Sequence, residues 1–213
     1  MRILVVNPNR VEACTELIGA VAAGAAAPGT EVVATAPASG PVVLSGRPEV
    51  LRSAMGVLDR VEELGQDADA IVLAGFGEPG QEAAQELAGK PVLDITECGP
   101  ALAQLLGRRY AVVTSTEEAV PVVEDRLHAL HLDGRCAGVL PTGLGVPELV
   151  GRREDALAVV TDVAKRADAD VVVLGCGGMA GMAPAVRAAV GVPVVDPVAA
   201  AVRFAESVVA LAE

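Results

Sequence analysis

The sequence predicts an α/β fold made of two pseudo-symmetric lobes, each a mainly parallel sheet flanked by helices, with a cleft between them. Continuously apolar segments such as 171–174 alternate with helical patterns, and such strands are typical of parallel sheets covered on both faces. The segment 67–77 is repeated at 168–178 with the same spacing. A repeat this long indicates a duplicated unit, so the glycine loops that end the two copies should face each other.

The first half is expected to form four strands and four helices. The apolar segment 2–6 predicts the first strand, and Asn9 can cap a helix that runs to about residue 26. The Pro/Gly/Ser-rich loop 37–46 is long enough to reach over a site. The other expected elements are strands at 30–34, 70–73 and 91–95, helices at 48–64 and 81–88, and a helix that ends at 106.

The second half repeats this order. A helix is expected to begin near Met179, directly after the second glycine loop. The other expected elements are strands at 110–113, 136–140, 171–174 and 193–195, a helix ending near 130, a loop at 141–147, and helices at 153–167 and 198–211. We predict a first lobe of residues 1–96 with part of the C-terminal helix, and a second lobe of residues 97–213.

Composition excludes several classes of protein. A net charge of −12 disfavours nucleic acid and anionic membranes as partners, because both require basic patches. No signal peptide or membrane-spanning segment is predicted. The 4 cysteines are far apart and have no neighbouring histidine, so neither a zinc site nor a disulfide framework is expected. A reducing, cytoplasmic location follows as the expectation.

Cys176 is the strongest candidate for chemistry. It follows a buried strand and is flanked by Gly175, Gly177 and Gly178, which allow a close approach of backbone to a ligand. A helix N-terminus near Met179 would stabilise a thiolate there. The alternative is a small buried hydrophobic residue, the usual role of a free cysteine. The same glycines resemble a dinucleotide fingerprint, but too little chain follows them for a nucleotide-binding half.

Other polar and glycine residues end neighbouring strands and should meet at the same sheet edge as Cys176. They are Asn7, Gly75, Thr114 and Ser115. The two hydroxyl groups suit a carboxylate or carbonyl oxygen, although local helix capping explains them equally well. Arg10 would fall in the first turn of a helix, where its charge opposes the helix dipole and hints at a nearby carboxylate.

Three motifs resemble the hydantoin and allantoin racemases of the aspartate/glutamate racemase superfamily. They are the segments 3–9, 76–80 and 174–180, which occur in the same order. The resemblance implies two pseudo-symmetric lobes, no cofactor, and two facing cysteines that act as acid and base on opposite faces of a carbon acid. Cys176 takes the position of the second cysteine, whereas Gly75 stands where the first should precede Phe76 and Gly77. Arg10 replaces the usual Thr or Ser.

The missing cysteine leaves the reaction open. Inversion without a cofactor requires a base on one face and a proton donor on the other, and Cys176 alone supplies one of them. Arylmalonate decarboxylases of the same superfamily resemble this sequence at Gly75 and Cys176, but the sequence lacks an evident Thr-Ser loop after Gly75 and has Phe76-Gly77-Glu78 instead. Glu78 is the candidate second acid–base group.

We therefore expect a cofactor-independent isomerase that moves a proton at a carbon α to a carbonyl, with Cys176 as the catalytic residue. A one-base decarboxylase or cyclase is the alternative, and a non-catalytic small-molecule binding protein is a third. The substrate should carry a carboxylate or a cyclic imide. Its binding residues are expected to be Asn7, Arg10, Gly75, Phe76, Gly77, Thr114, Ser115, Gly177 and Gly178. A homo-oligomer is expected.

Overall fold

The computed structural model describes residues 1–77 and 80–212, and it contains two four-stranded parallel sheets. The first sheet has the order β2-β1-β3-β4 and the second has the order β6-β5-β7-β8. The strands are β1 (Arg2–Val6), β2 (Glu31–Thr35), β3 (Ala70–Leu73), β4 (Val92–Asp94), β5 (Tyr110–Thr114), β6 (Cys136–Pro141), β7 (Val171–Gly175) and β8 (Val194–Val195). The predicted α/β fold with two mainly parallel sheets is confirmed.

Helices cover both sheets, as parallel strands require. They are α1 (Glu12–Ala25), α2 (Arg47–Leu64), α3 (Gln81–Ala88), α4 (Ile95–Leu106), α5 (Val120–Ala129), α6 (Val146–Gly151), α7 (Arg153–Lys165), α8 (Ala183–Val190) and α9 (Pro197–Ala212). In the part of the chain that the structure describes, none of these helices is both long and apolar enough to cross a membrane.

The central strands of the two sheets are paired in corresponding registers, so the loops that follow these strands can be compared. Val6 lies opposite Leu73 in the first sheet, and Val113 lies opposite Leu174 in the second. Gly75 and Cys176 each come two residues after the last of these strand positions. They therefore hold equivalent places at the carboxyl edges of their sheets.

A continuous apolar core joins the two lobes. One cluster of buried side chains includes Ile3 and Val5 of the first sheet, Val112 and Val173 of the second, and Ala201 of α9. The last helix, α9, packs against α1 and α4. Because the sheets and this helix bury apolar surface together, the lobes are held at a fixed separation around the cleft.

The first helix begins later than the sequence suggested. Asn9 does not cap α1, because its side chain is used in a turn: Oδ1 accepts the N–H of Val11 at 2.9 Å and Nδ2 donates to Asn7 Oδ1 at 2.7 Å. Such Asx turns compete with helix capping. Arg10 therefore precedes the helix, and the expectation that it sits in the first helical turn is wrong.

No α-helix begins at Met179. A short 3-10 turn covers Gly177–Met179, and α8 starts only at Ala183. The chain turns at Gly181, whose φ is +81° and whose N–H donates to Asp196 Oδ2 at 2.7 Å. The expected helix N-terminus beside Cys176 is thus absent. The expected loop 141–147 also differs, since α6 begins inside it at Val146.

Candidate active site

A cavity lies between the lobes, at the carboxyl edges of both sheets. The segment 74–77 borders it from the first lobe, and the segment 175–177 borders it from the second. Gly75 and Cys176 therefore line the same space. The two loops also touch, because a Cβ placed on Gly177 would lie 3.1 Å from the carbonyl oxygen of Ala74.

The described residues that line the cavity carry no cationic side chain. Its polar side chains are Asn9, Ser45, Thr114, Ser115 and Cys176. Its large apolar side chains are Leu44, Val50, Phe76, Val122 and Val146. Among the lining residues within 1–77 and 80–212, Cys176 alone has a titratable side chain and none is cationic. Such a lining suits a neutral polar ring better than a free carboxylate.

Leu44 and Ser45 come from the loop that precedes α2, and Val50 comes from the first turns of that helix. The expectation that loop 37–46 reaches over the site is confirmed for these two residues. The sequence offered no signal for which of its residues face the cavity. That choice depends on where α2 packs, which a local pattern does not encode.

Cys176 follows the end of β7 and is half-buried as a residue, whereas its thiol is desolvated. Burial raises the pKa of this thiol to about 12, and the nearby Cys14 thiol adds to the rise. The N–H of Gly178 and the hydroxyl of Ser115 favour the thiolate and oppose this rise in pKa. The expectation of a pKa lowered by a helix N-terminus is therefore wrong, because that helix is absent and desolvation dominates.

Glycines surround Cys176 because neighbouring groups pack closely there. A Cβ on Gly177 would lie 2.9 Å from Ile18 Cδ1, and one on Gly178 would lie 3.2 Å from Leu149 Cβ. Side chains at these positions would push α1 and α6 away from the loop. Gly177 lines the cavity, whereas Gly178 does not line it and its N–H lowers the pKa of Cys176.

Two charged residues fix the loop after Cys176. Arg153 Nη1 donates to the carbonyl oxygen of Gly178 at 2.7 Å, and Nη2 donates to that of Ala180. On the other side of the loop, Asp196 accepts the N–H of Gly181. Sequence analysis missed both supports, because each joins residues distant in the chain.

The loop at Gly75 is held by Thr96. The hydroxyl of Thr96 accepts the N–H of Gly77 at 2.7 Å and lies 3.4 Å from the carbonyl oxygen of Gly75. Gly77 has a φ of +85°, whereas Gly75 is not among the glycines with positive φ, so its backbone accepts a side chain without strain. Phe76 lines the cavity as predicted. Glu78 lies outside the described residues.

Besides Gly178, two other candidate binding residues do not line the cavity. Asn7 is fully buried, and its Nδ2 donates to Thr15 Oγ1 at 2.9 Å, so it shapes the turn rather than the lining. Arg10 is exposed and directs Nη1 toward the carbonyl oxygen of Ala38 at 3.4 Å. The turn at Asn9 points this side chain to solvent. Asn9, predicted only as a helix cap, lines the cavity instead.

Thr114 and Ser115 both line the cavity as expected. Thr114 Oγ1 donates to the carbonyl oxygen of Gly175 at 3.2 Å, which ties the end of β5 to the residue before Cys176. The carbonyl oxygen of Ser115 accepts the N–H of Gly143 at 2.8 Å. The hydroxyl of Ser115 acts on Cys176, because it lowers the pKa of that thiol.

Two related α/β lobes with a thiol in the cleft between them are the arrangement of an enzyme that moves a proton at a carbon acid by acid–base catalysis. The profile of the Asp/Glu/Hydantoin racemase family matches residues 3–205, and the chain belongs to this family. A hydantoin racemase from Pseudomonas sp. (strain NS671) is 34% identical over 216 residues, covering 99% of this chain and 87% of that protein.

Solved structures agree with this assignment. The crystal structure of allantoin racemase from Pseudomonas fluorescens has a TM-score of 0.96 and 44% identity, covering 100% of this chain and 92% of that one. Arylmalonate decarboxylase has a TM-score of 0.65 and 22% identity, covering 98% and 92% of the two chains, and it shares the fold. The comparisons thus favour a racemase over the decarboxylase alternative.

Proposed function

We propose that the protein is a cofactor-independent racemase acting on a neutral cyclic ureide of the hydantoin type. The observation that carries this proposal is the cavity, in which Cys176 is the single titratable lining group of the described residues and faces Gly75 across a neutral lining. Relatives named hydantoin racemase and allantoin racemase support the same substrate class.

The lining favours the cyclic imide over the carboxylate among the two expected substrate types. A free carboxylate binds most strongly to a guanidinium or ammonium group, and no such side chain lines the cavity from residues 1–77 or 80–212. A hydantoin ring instead offers N–H and C=O groups to Asn9, Ser45 and Thr114. Its 5-substituent would pack on the apolar side chains of Val50 and Val122.

Cys176 supplies the base in this proposal. Its thiolate takes the proton from the ring carbon α to the carbonyl, and the C–H electron pair moves onto the carbonyl oxygen to form an enolate. The Gly178 N–H and the Ser115 hydroxyl stabilise the thiolate. General base catalysis of this kind contributes roughly 10²–10⁴-fold.

The opposite face needs a proton donor. Gly75 stands where the resemblance expects the first cysteine, and in this proposal a water molecule takes the role of the missing donor. That water protonates the enolate on the opposite face. After the product leaves, the hydroxide takes the proton from the Cys176 thiol, which restores both water and thiolate. Glu78 is the other candidate donor, and Glu78→Gln distinguishes the two because water would be unaffected.

The test follows both enantiomers of a 5-monosubstituted hydantoin, such as 5-benzylhydantoin, in D₂O by circular dichroism and proton NMR. We expect racemisation with deuterium uptake well above the spontaneous rate, and loss of both with Cys176→Ala. Arg10→Ala is the matched control and should leave KM unchanged. Equal rates for wild type, Cys176→Ala and the blank would contradict the proposal.

The same preparation tests the other expectations. Release of carbon dioxide from an arylmalonate would indicate a decarboxylase, and racemisation of free glutamate would indicate an amino-acid racemase. Binding of the hydantoin without turnover would indicate a binding protein. The homo-oligomer is still a prediction, for which light scattering of the purified protein is the measurement, and the cytoplasmic location also stays a prediction.

A further inference from the structure

Asp94 and Asp196 are matching residues of the internal repeat, but they make different contacts. Each ends a strand and caps the next helix: Asp94 Oδ1 accepts the N–H of Thr96 at 2.7 Å, and Asp196 Oδ1 accepts that of Val198 at 3.1 Å. The second oxygen of Asp196 binds Gly181 within its own lobe. The second oxygen of Asp94 accepts Arg126 Nε at 3.1 Å, from helix α5 of the other half of the chain.

The side chain of Arg126 is largely buried and donates hydrogen bonds to several acceptors. Its side chain is 12% exposed and that of Asp94 is 0% exposed. The guanidinium also donates to Glu82 Oε1 at 2.9 Å and to Gln81 Oε1, both in the first turn of α3. A planar guanidinium with several donors can hold these acceptors in one arrangement, which an ammonium group cannot do. One residue of α5 thus contacts the start of α3 and the residue that caps α4.

This network leads directly to the cavity. Asp94 fixes the backbone of Thr96, and the Thr96 hydroxyl accepts the N–H of Gly77 at 2.7 Å. Helix α5 also contacts the loop directly, by a route that does not involve Thr96. A Cβ on Gly77 would lie 2.8 Å from Val122 Cγ1. Val122 is one helical turn before Arg126. The two contacts together define where the loop 75–77 stands relative to Cys176.

We propose that Arg126 is a positioning residue that, through Asp94 and Thr96, holds the loop 75–77 against the substrate face opposite Cys176. The inference rests on the proposed racemase function and names the residue that controls its second proton transfer. The loop of Cys176 has its own supports, Arg153 and Asp196. Loss of Arg126 should therefore disturb one face of the reaction and spare the other.

The kinetic test uses Arg126→Gln with a 5-monosubstituted hydantoin in D₂O. Deuterium uptake with retention reports the Cys176 face, and inversion reports both faces. We expect inversion to fall at least about tenfold, because a displacement of about 1 Å can cost roughly 100-fold. The rate of deuterium uptake with retention should change by less than about threefold, because the loop of Cys176 has its own supports. Arg126→Lys should restore only part of the inversion rate.

Arg47→Gln is the matched control. Arg47 of α2 pairs with Asp125 of α5 and so also joins the two halves, but both side chains are more than half exposed, at 55% and 69%. Its loss should leave the ratio of inversion to retentive exchange unchanged. Equal falls in both rates for Arg126→Gln, in parallel with a lower melting temperature, would assign Arg126 a purely structural role and overturn the proposal.

Amide hydrogen exchange decides the inference independently of turnover. In the ligand-free protein, Arg126→Gln should accelerate exchange of the peptide that covers residues 74–77 at least about tenfold, and leave the peptide that covers 175–180 unchanged. Unchanged exchange at 74–77 would overturn the proposal even in an active enzyme. A wild-type protein with neither deuterium uptake nor inversion would refute the proposed function instead, while the amide measurement still reports on Arg126.

Discussion

Gly75 and Cys176 occupy equivalent places in the two sheets and border one cavity from opposite lobes. The internal repeat therefore places a residue without a side chain opposite the one titratable lining group described. This asymmetry separates the two faces of a bound ring, since one faces a thiol and the other faces a residue without a side chain. The predictions below follow from that arrangement.

Cys176→Ala is expected to lower kcat at least about 100-fold while the free energy of unfolding changes little, because the residue is half-buried beside the cavity and serves as base. Polarimetry measures the first effect and urea denaturation the second. Cys136→Ala is the control, since Cys136 is also half-buried but does not line the cavity. A variant that keeps a tenth of the wild-type kcat would remove Cys176 from the mechanism.

Activity should rise steeply with pH. Burial raises the pKa of Cys176 to about 12, so the thiolate is a small fraction at neutral pH and grows about tenfold per pH unit below that pKa. We expect kcat/KM for deuterium uptake to follow this slope from pH 7 to 9, after subtraction of the spontaneous rate. Ser115→Ala removes a hydroxyl that lowers the pKa of the Cys176 thiol, and should reduce the rate at pH 8. A plateau below pH 8 would contradict the raised pKa.

Gly75→Cys should raise the rate of inversion at least about tenfold, because it adds an acid–base group on the face opposite Cys176. The backbone at Gly75 does not have a positive φ, so the new side chain is conformationally allowed. Gly75→Ala is the matched control for added volume. If both variants lose substrate binding equally, the space at Gly75 serves to accommodate the substrate and the water-based mechanism is wrong.

Asp94 should make stability depend on pH. Full burial raises the pKa of its carboxyl to about 6, so the folded state prefers the protonated form. The stabilisation from this preference is complete below pH 4 and is lost as the pH rises through 6. Between pH 5 and 7, wild type should lose about 1 kcal/mol relative to Asp94→Asn in urea denaturation. A difference that does not vary with pH would show that Asp94 stays ionised.

Much of the architecture was predictable because it depends on the pattern of residues that are close together in the sequence. Apolar runs such as 171–174 identify buried strands, and the repeat of 67–77 at 168–178 relates the two sheets. The same repeat located Gly75 and Cys176 at equivalent strand ends. These features depend on local hydrophobicity and spacing, which a single chain displays directly.

The contacts and the solvation of the site residues were decided by the tertiary structure, because they involve residues far apart in the chain. The Asx turn at Asn9 places the Arg10 side chain in solvent. The hydrogen bond from Gly181 N–H to Asp196 accompanies a turn after Cys176, so that the next helix begins only at Ala183. Packing also determined that the thiol is desolvated, so its pKa is raised rather than lowered. Arg126 shows the same principle: its bond to Asp94 spans 32 residues and joins the two halves of the chain. The sequence alone determined which groups are available, whereas packing between the lobes determined their contacts, their solvation and therefore their chemistry.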